Sequence, residues 1–248
     1  MRSLLIALTA LPLIACNGAA TVGPKSGTVI APQGSGNARS YAVRDFSRVD
    51  LRGADDIEVS TGGDFSVRAE GDADILDKLE IRIDGDTLIV GRKDRSGWNW
   101  GDGDDGDVRV LISMPAIRSG SLAGSGDLTI NRAQGDFDGD LAGSGDLTIG
   151  VLQGGRAAFS LAGSGTIAAS GQIDRFDLSI AGSGDFDAPG LNAGGADVNI
   201  AGSGDVRATV RGDASVTILG SGDVDLGPQA RCKTSKMGSG EVRCDNVS

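Results

Sequence analysis

The tripeptide Gly-Ser-Gly recurs seven times in the second half of the chain, and it constrains the fold more than any other feature. Copies begin at residues 124, 143, 163, 182, 202, 220 and 238, at intervals of 18 to 20 residues. The residue that follows is acidic in every copy except the third, where it is Thr166. A nearly constant period of this length is typical of a repeat protein, in which each unit contacts only its neighbours.

The residues around each copy alternate in a way that indicates strands. Before the fourth copy, Phe176, Leu178 and Ile180 share one parity and are apolar, whereas Asp177 lies on the other parity. A period of two predicts a strand with one face on a core. Both glycines of the tripeptide fall on the apolar parity, so we expect Gly184 at a crowded inward corner with a φ value that favours glycine.

A coil of 18–20 residues cannot bury its apolar face alone, but stacked coils can, with strands about 4.8 Å apart. The sequence therefore predicts an all-β fold, a parallel β-solenoid or β-helix of about seven coils over residues 116–248. Residues 41–115 alternate in short runs and predict an N-terminal β region with one helical turn within 72–79. We take 41–248 as a single domain.

The first residues predict export. Arg2 and the apolar stretch 4–14 form a signal peptide that is too short to span a bilayer. The sequence Leu-Ile-Ala-Cys at 13–16 resembles the lipobox of bacterial lipoproteins, which implies cleavage after residue 15 and lipidation of Cys16. An ordinary signal peptide cleaved near Ala15 is the alternative.

The region after the cleavage site is expected to serve as an anchor and tether. Residues 16–40 are rich in small residues, glycine and proline, which is typical of a flexible linker. Asn17 follows the lipidated cysteine, and by the same resemblance this favours the outer membrane. The expected location is the cell envelope, with a lipid anchor in the membrane.

Charge and histidine content exclude several functions. The chain has 34 acidic and 23 basic residues, a net charge of −11, and no basic cluster, which argues against nucleic-acid binding. It has no histidine, which excludes a Ser-His-Asp triad and histidine-bound metals. Because aspartate is so abundant, carboxylate pairs arise by chance, and we predict no catalytic residues.

Three cysteines are present, and two remain once Cys16 is assigned to the lipid. An even pair in an exported chain predicts a disulfide between Cys232 and Cys244. Two buried free thiols are the alternative.

The acidic residues that follow the tripeptides would line up if the coils stack in register. Each would bond nearby backbone N–H groups and face water, which is the structural interpretation. Alternatively, Ca²⁺ could relieve the repulsion between stacked carboxylates. No other cofactor is expected. The candidate Ca²⁺ ligands are Asp127, Asp146, Asp185, Asp205 and Asp223, with Thr166 and Glu241 completing the series.

Residues 93–107 contain both tryptophans, Trp98 and Trp100, among several aspartates. The segment fails the EF-hand pattern, because Gly106 stands at a ligand position and Ser113 where the closing glutamate belongs. The two indole rings are candidate contacts for a sugar or a protein surface. The alternative is a surface insertion whose rings fold back onto the sheet.

The order of these parts resembles a known bacterial family, described as "putative auto-transporter adhesin, head GIN domain". Repeated Ala-Gly-Ser-Gly-Asp units follow Pro115, and the segment Phe-Ser-Arg-Val-Asp-Leu at 46–51 and the apolar run 88–90 precede them. The resemblance covers about residues 41–244. It implies an exported β-helical protein, often a lipoprotein, and it supplies no catalytic residues.

We therefore expect a non-catalytic envelope lipoprotein, an adhesin-like module that binds or scaffolds. Its partners would be the membrane, through the anchor, and a glycan or protein surface. The sequence leaves the oligomeric state open. The alternatives are a carbohydrate-active β-helix enzyme and a purely structural envelope protein.

Overall fold

The computed structural model describes residues 27–93 and 108–244, together with the backbone of 246–247. Two twelve-stranded sheets form nearly all of the described chain. The elements before the repeats are β1 (Thr28–Val29), β2 (Pro32–Gln33), β3 (Ala38–Tyr41), β4 (Arg48–Gly53), β5 (Asp56–Thr61), β6 (Ser66–Glu70), α1 (Ala73–Leu76), β7 (Leu79–Asp84), β8 (Thr87–Arg92) and β9 (Arg109–Met114).

The repeats contribute one strand to each sheet in turn. They form β10 (Ser119–Gly124), β11 (Leu128–Gln134), β12 (Phe137–Gly143), β13 (Asp146–Gln153), β14 (Arg156–Gly163), β15 (Thr166–Ile173), β16 (Arg175–Gly182), β17 (Asp185–Ala193), β18 (Ala196–Gly202), β19 (Val206–Val210), β20 (Asp213–Gly220), β21 (Val224–Asp225), β22 (Arg231–Gly238), β23 (Val242–Arg243) and β24 (Asn246–Val247).

The repeat strands stack in parallel, in register throughout sheet A and with register shifts in sheet B where β13, β15, β17 and β19 pair, which confirms the predicted β-solenoid. In the first sheet, sheet A, the order is β1-β7-β8-β4-β10-β12-β14-β16-β18-β20-β22-β24. In the second, sheet B, it is β2-β3-β6-β9-β5-β11-β13-β15-β17-β19-β21-β23. Each Gly-Ser-Gly copy forms the corner at which the chain passes from sheet A to sheet B.

One continuous hydrophobic core lies between the sheets and follows the predicted parity. Leu122, Leu141 and Leu161 stack from coil to coil and are at most 1% exposed. Further along, the rings of Phe159 and Phe186 lie 5.1 Å apart between centroids. Aliphatic ladders and a few aromatic rings therefore suffice for the core.

The two glycines of each corner differ, and this corrects one expectation. Gly182, the first glycine of the fourth copy, has a φ of +133°, a value that side chains strongly disfavour. Gly184 does not have a left-handed backbone, so the expected φ constraint there is wrong. Its constraint is space, because an added Cβ would lie 2.4 Å from both the carbonyl oxygen of Gly165 and Cδ2 of Leu161.

The N-terminal β region is confirmed, and part of it extends the solenoid. Strands β4 and β5 pair in parallel with β10 and β11, so Leu51 stacks on Leu122 and Ile57 on Leu128. Strands β8 and β9 then continue the two sheets on the other side of β4 and β5. Strands β6 and β7 pair antiparallel with β9 and β8 and so cover this end of the solenoid. The repeats start on the opposite side of β4 and β5.

Residues 28–40 differ from the flexible tether that the sequence predicts for 16–40. They contribute to three short strands, of which β1 pairs with β7 and β3 pairs with β6, both antiparallel. Arg39 is 8% exposed and donates a 2.9 Å hydrogen bond to Asp77, which fixes β3 on the domain. No helix within the described residues is long and apolar enough to cross a membrane.

Candidate binding face

The acidic residues after the corners form a ladder of hydrogen bonds along the outside of sheet B. Oδ1 of Asp127 accepts a bond from the backbone N–H of Asp146 at 3.2 Å, and the same contact repeats from coil to coil. Asp56, in the coil before the repeats, begins the ladder. Across the third copy the N–H of Asp185 instead donates to the carbonyl of Gly165, because Thr166 has no carboxylate. The other rungs join Asp146 to Thr166, Asp185 to Asp205, Asp205 to Asp223 and Asp223 to Glu241.

This geometry gives each aspartate of the ladder a backbone N–H partner in the next coil, which is the kind of bond that the structural interpretation expected. Within the described residues, no three His, Cys, Asp or Glu side chains are grouped in a way that could hold a metal ion. Within the described part of the chain, the side chain of Asp185 bonds only the backbone N–H of Asp205, and it is exposed.

Asp185→Asn should therefore change the free energy of unfolding by less than about 1 kcal/mol, because the amide oxygen can accept the same bond. Thermal melts of the parent and the variant, each with and without EDTA, measure this. A large fall in the parent's melting temperature with EDTA, reduced in the variant, would instead support the Ca²⁺ ladder.

The structure brings Cys232 and Cys244 together at the C-terminal end of the solenoid. Their Cα atoms are 6.1 Å apart, within the range that a disulfide requires. Cys232 is 2% exposed and faces the core, where it stacks on Ala214. In the same last coil Lys236 occupies a core-facing register but is exposed, and its Nζ donates to the carbonyl of Gly240 at 2.8 Å.

Replacing both cysteines, as Cys232→Ser with Cys244→Ser, should lower the free energy of unfolding by about 3 kcal/mol, because the bond closes a short loop in the unfolded chain. Denaturant unfolding of the oxidised parent, the reduced parent and the double variant gives the difference. Two titratable thiols in the oxidised parent would contradict the predicted bond.

Two of the predicted sites lie outside the described residues. Cys16 precedes them, and Trp98 and Trp100 belong to 94–107. The described ends of that segment are Lys93, whose Nζ donates to the carbonyl of Asp77 at 2.6 Å, and the buried Val108.

A long groove runs across the coils on the outer face of sheet A, with a cavity volume of about 680 Å³. Its apolar lining comes from one outward position just before the corner of the repeat coils, and we call this series the alanine ladder. It comprises Ala123, Ala142, Ala162, Ala181, Ala201 and Leu219, which line the groove, and Met237 in the next coil. Leu219 is 56% exposed and Met237 72% exposed, so the ladder ends in large apolar side chains open to water.

Short polar side chains form the second wall of the groove. They lie two residues before the alanine ladder in each strand and include Ser160, Ser179 and Asn199. Towards the N-terminal end the groove meets a more polar pocket of about 260 Å³, to which Arg48, Asp138 and Asp140 contribute. The whole face is therefore apolar along one side and polar at one end.

Charged residues flank the groove where the strands of sheet A begin. Arg175 bonds Asp197 in the next coil, and this hydrogen bond raises the pKa of the guanidinium above its usual value. Nε of Arg156 lies 3.1 Å from Oδ2 of Asp177, and Nε of Arg231 lies 2.8 Å from Oδ1 of Asp213. These ion pairs join neighbouring coils along the sheet.

Sequence reasoning missed this face, although a signal for it was present. The residue before each Gly-Ser-Gly copy is Ala in five copies, then Leu219 and Met237. These residues lie on the polar parity, where apolar side chains must be exposed. The apolar residues on the inward parity identify the core, and the apolar residues on the outward parity mark the groove.

The fold is similar to that of several solved bacterial structures. A "putative adhesin" from Bacteroides fragilis superposes with a TM-score of 0.69 at 20% identity, covering 84% of this chain and 95% of that chain. A "putative lipid binding protein" from Parabacteroides distasonis gives a TM-score of 0.65 at 20% identity, covering 87% and 96%. A "putative adhesin" from Parabacteroides merdae gives 0.62 at 17% identity, covering 85% and 96%.

No curated protein matches the chain significantly. The family model described as "Putative auto-transporter adhesin, head GIN domain" matches residues 45–230, which run from just before β4 to the last coil. This range contains the covered end of the solenoid and six of its seven Gly-Ser-Gly corners. The chain therefore belongs to the head GIN domain family.

Proposed function

We propose that this protein is a non-catalytic, lipid-anchored envelope module, and that it binds or scaffolds through the outer face of sheet A. The observation that carries the proposal is the groove along the alanine ladder. Exposed strand faces usually carry charged and polar side chains, which keep them from associating. Five aligned alanines followed by exposed Leu219 and Met237 depart from that pattern in one place.

The outer face of sheet B provides the contrast within the same molecule. Its outward ladder after the corners reads Thr148, Ala168, Asp187 and Arg207, so it becomes charged where sheet A remains apolar. Because both faces belong to the same stacked coils, folding alone does not explain why they differ. Binding to a partner on sheet A would explain it.

The family supports an adhesin-like role, since its description and the names of two structural relatives refer to adhesins. A second candidate ligand is an acyl chain. The apolar side of the groove favours it, and one structural relative carries a lipid-binding name. We propose the outer membrane as the location, as the residue after Cys16 favours.

An array of glycans, matrix proteins and lipids tests the binding proposal with a soluble fragment of residues 27–248. We expect the parent fragment to be captured and Ala181→Arg, which places a long cation in the middle of the groove, to lose that capture. Capture that is unchanged in Ala181→Arg would contradict binding through this face.

The lipid anchor is tested separately in the full chain. Cys16→Ser should abolish incorporation of labelled fatty acid and release the protein from the membrane fraction, because the acyl chains provide the anchoring free energy. Fractionation that does not change with Cys16→Ser would favour the ordinary signal peptide cleaved near Ala15.

A further inference from the structure

We propose that the partner of the groove is a second copy of this chain, packed face to face on sheet A with the two solenoid axes antiparallel. This inference rests on the proposed function of that face. It names the ligand, whereas the proposed function requires only that some ligand binds there.

The side chains along the alanine ladder are complementary to the same ladder reversed. We place a twofold axis parallel to the strands, between β16 and β18, so that each coil faces a coil of the other copy. Ala181 then lies opposite Ala201, Leu219 opposite Ala162, and Met237 opposite Ala142. Each large exposed side chain meets a small one, which is how two facing sheets interdigitate.

The charged positions are complementary under the same operation. Lys233 faces Asp138, and neither forms an ion pair within the described part of the chain. Both side chains are exposed. Two more pairs of opposite charge meet where the strands of sheet A begin. Arg231 faces Asp136, and Asp213 faces Arg156. The twofold axis repeats each of these contacts.

At the centre of the face, Arg175 lies over Gly195 of its own chain, where an added Cβ would be 2.7 Å from Nη1, and it contacts both Asp177 and Asp197. The twofold axis therefore brings two Arg175 side chains close to the four aspartates that meet there, and each guanidinium neutralises part of that negative charge. A parallel pair would instead set the alanine ladder against Arg156 and Arg175, so the charges favour the antiparallel arrangement.

The area is sufficient for a specific dimer. From β10 to β22 the face spans six steps of about 4.8 Å, and seven residues of about 3.3 Å span its width, which gives about 650 Å² per copy. Two copies would bury about 1,300 Å², within the range of stable interfaces.

The antiparallel orientation of the two copies would allow binding between two membranes. Strand β1 lies at one end of sheet A and β24 at the other, so residue 27 emerges at the end away from the last coil. In an antiparallel pair the two N-terminal tethers leave in opposite directions. Two copies anchored in facing membranes would be able to bind each other in this arrangement.

Sedimentation equilibrium of the soluble fragment 27–248 tests the proposal. We expect a reversible dimer in the parent and none with Ala162→Arg, because the new side chain would lie opposite Leu219. The matched control is Ala168→Arg on the outer face of sheet B, which should associate like the parent.

Charge reversal tests the register. Lys233→Glu and Asp138→Lys should each weaken association roughly tenfold or more, because each contact occurs twice in the dimer. The double variant should recover affinity close to that of the parent. Circular dichroism melts confirm that these surface variants fold.

A fragment that remains monomeric at all concentrations would overturn the proposal, as would a dimer indifferent to Ala162→Arg. A dimer that the double charge reversal fails to rescue would overturn the antiparallel register. A monomeric fragment that captures a glycan, lipid or matrix protein, and loses it in Ala181→Arg, would overturn self-association but leave the proposed function standing.

Discussion

Gly184→Val should lower the free energy of unfolding by about 3 kcal/mol or more, because the new side chain has no room at the inner corner. An added Cβ would lie 2.4 Å from the carbonyl oxygen of Gly165 in the preceding coil. Gly165 and Gly204 stack on either side of Gly184, and their corners show the same close approach of backbone to backbone. A backbone atom held in a ladder cannot move aside as a flexible side chain can.

Ser183→Val is the matched control, since Ser183 lies between the two glycines of the same corner and is exposed. It should change the free energy of unfolding by no more than about 0.5 kcal/mol. Urea unfolding of the parent and both variants measures the two effects. If Gly184→Val is as mild as Ser183→Val, the stacked inner corner is wrong.

Asp55→Ala should also destabilise the protein by about 3 kcal/mol, because it removes one partner of a buried ion pair. The side chain of Asp55 is 0% exposed, and its carboxylate contacts Arg92 through two bonds, of 2.5 and 3.1 Å. Arg92 ends β8, so the pair ties the covering strands to the first coil. Losing it leaves a guanidinium that is only 17% exposed without this carboxylate.

Asp213→Ala provides the comparison, since the pair between Asp213 and Arg231 is exposed. That variant should lose no more than about 1 kcal/mol. Denaturant unfolding of both variants, at low and high salt, separates the buried pair from the screened one. Equal losses would mean that the Asp55–Arg92 pair does not hold the end of the solenoid.

Much of the fold could be predicted because the same alternation of apolar and polar residues recurs around each Gly-Ser-Gly copy. One atypical copy, such as the third, which is followed by Thr166, therefore does not change the predicted fold. The inner position of Gly184 and the outward position of Asp185 follow from that parity alone. The stacking partners follow as well, because coils of similar length have little freedom of register.

The N-terminal coil could not be predicted, because its corner has lost the repeat signature. Residues 51–56 read Leu-Arg-Gly-Ala-Asp-Asp, and Asp55 stands where later corners have their second glycine. A carboxylate at a core-facing corner is tolerated only because Arg92 reaches it from β8, a contact between residues 37 positions apart. No local pattern reports such a contact.

The groove was missed for a different reason. Alanine before a glycine corner has a plausible local role, so Ala181 and its equivalents attracted no attention one at a time. Stacking in register converts them into one continuous apolar line. Exposed Leu219 and Met237, which end that line, were the stronger signal.

The most direct test of the account is a comparison of the same substitution on the two faces of one solenoid. The dissociation constant for the captured partner, whether a second copy or another ligand, is measured for the parent, Ala181→Arg on sheet A and Ala168→Arg on sheet B. We predict that Ala181→Arg weakens binding at least roughly tenfold, as expected for a long cation in the centre of an interface, while Ala168→Arg binds like the parent. Equal affinities for all three proteins, or a loss confined to Ala168→Arg, would contradict the assignment of sheet A as the binding face.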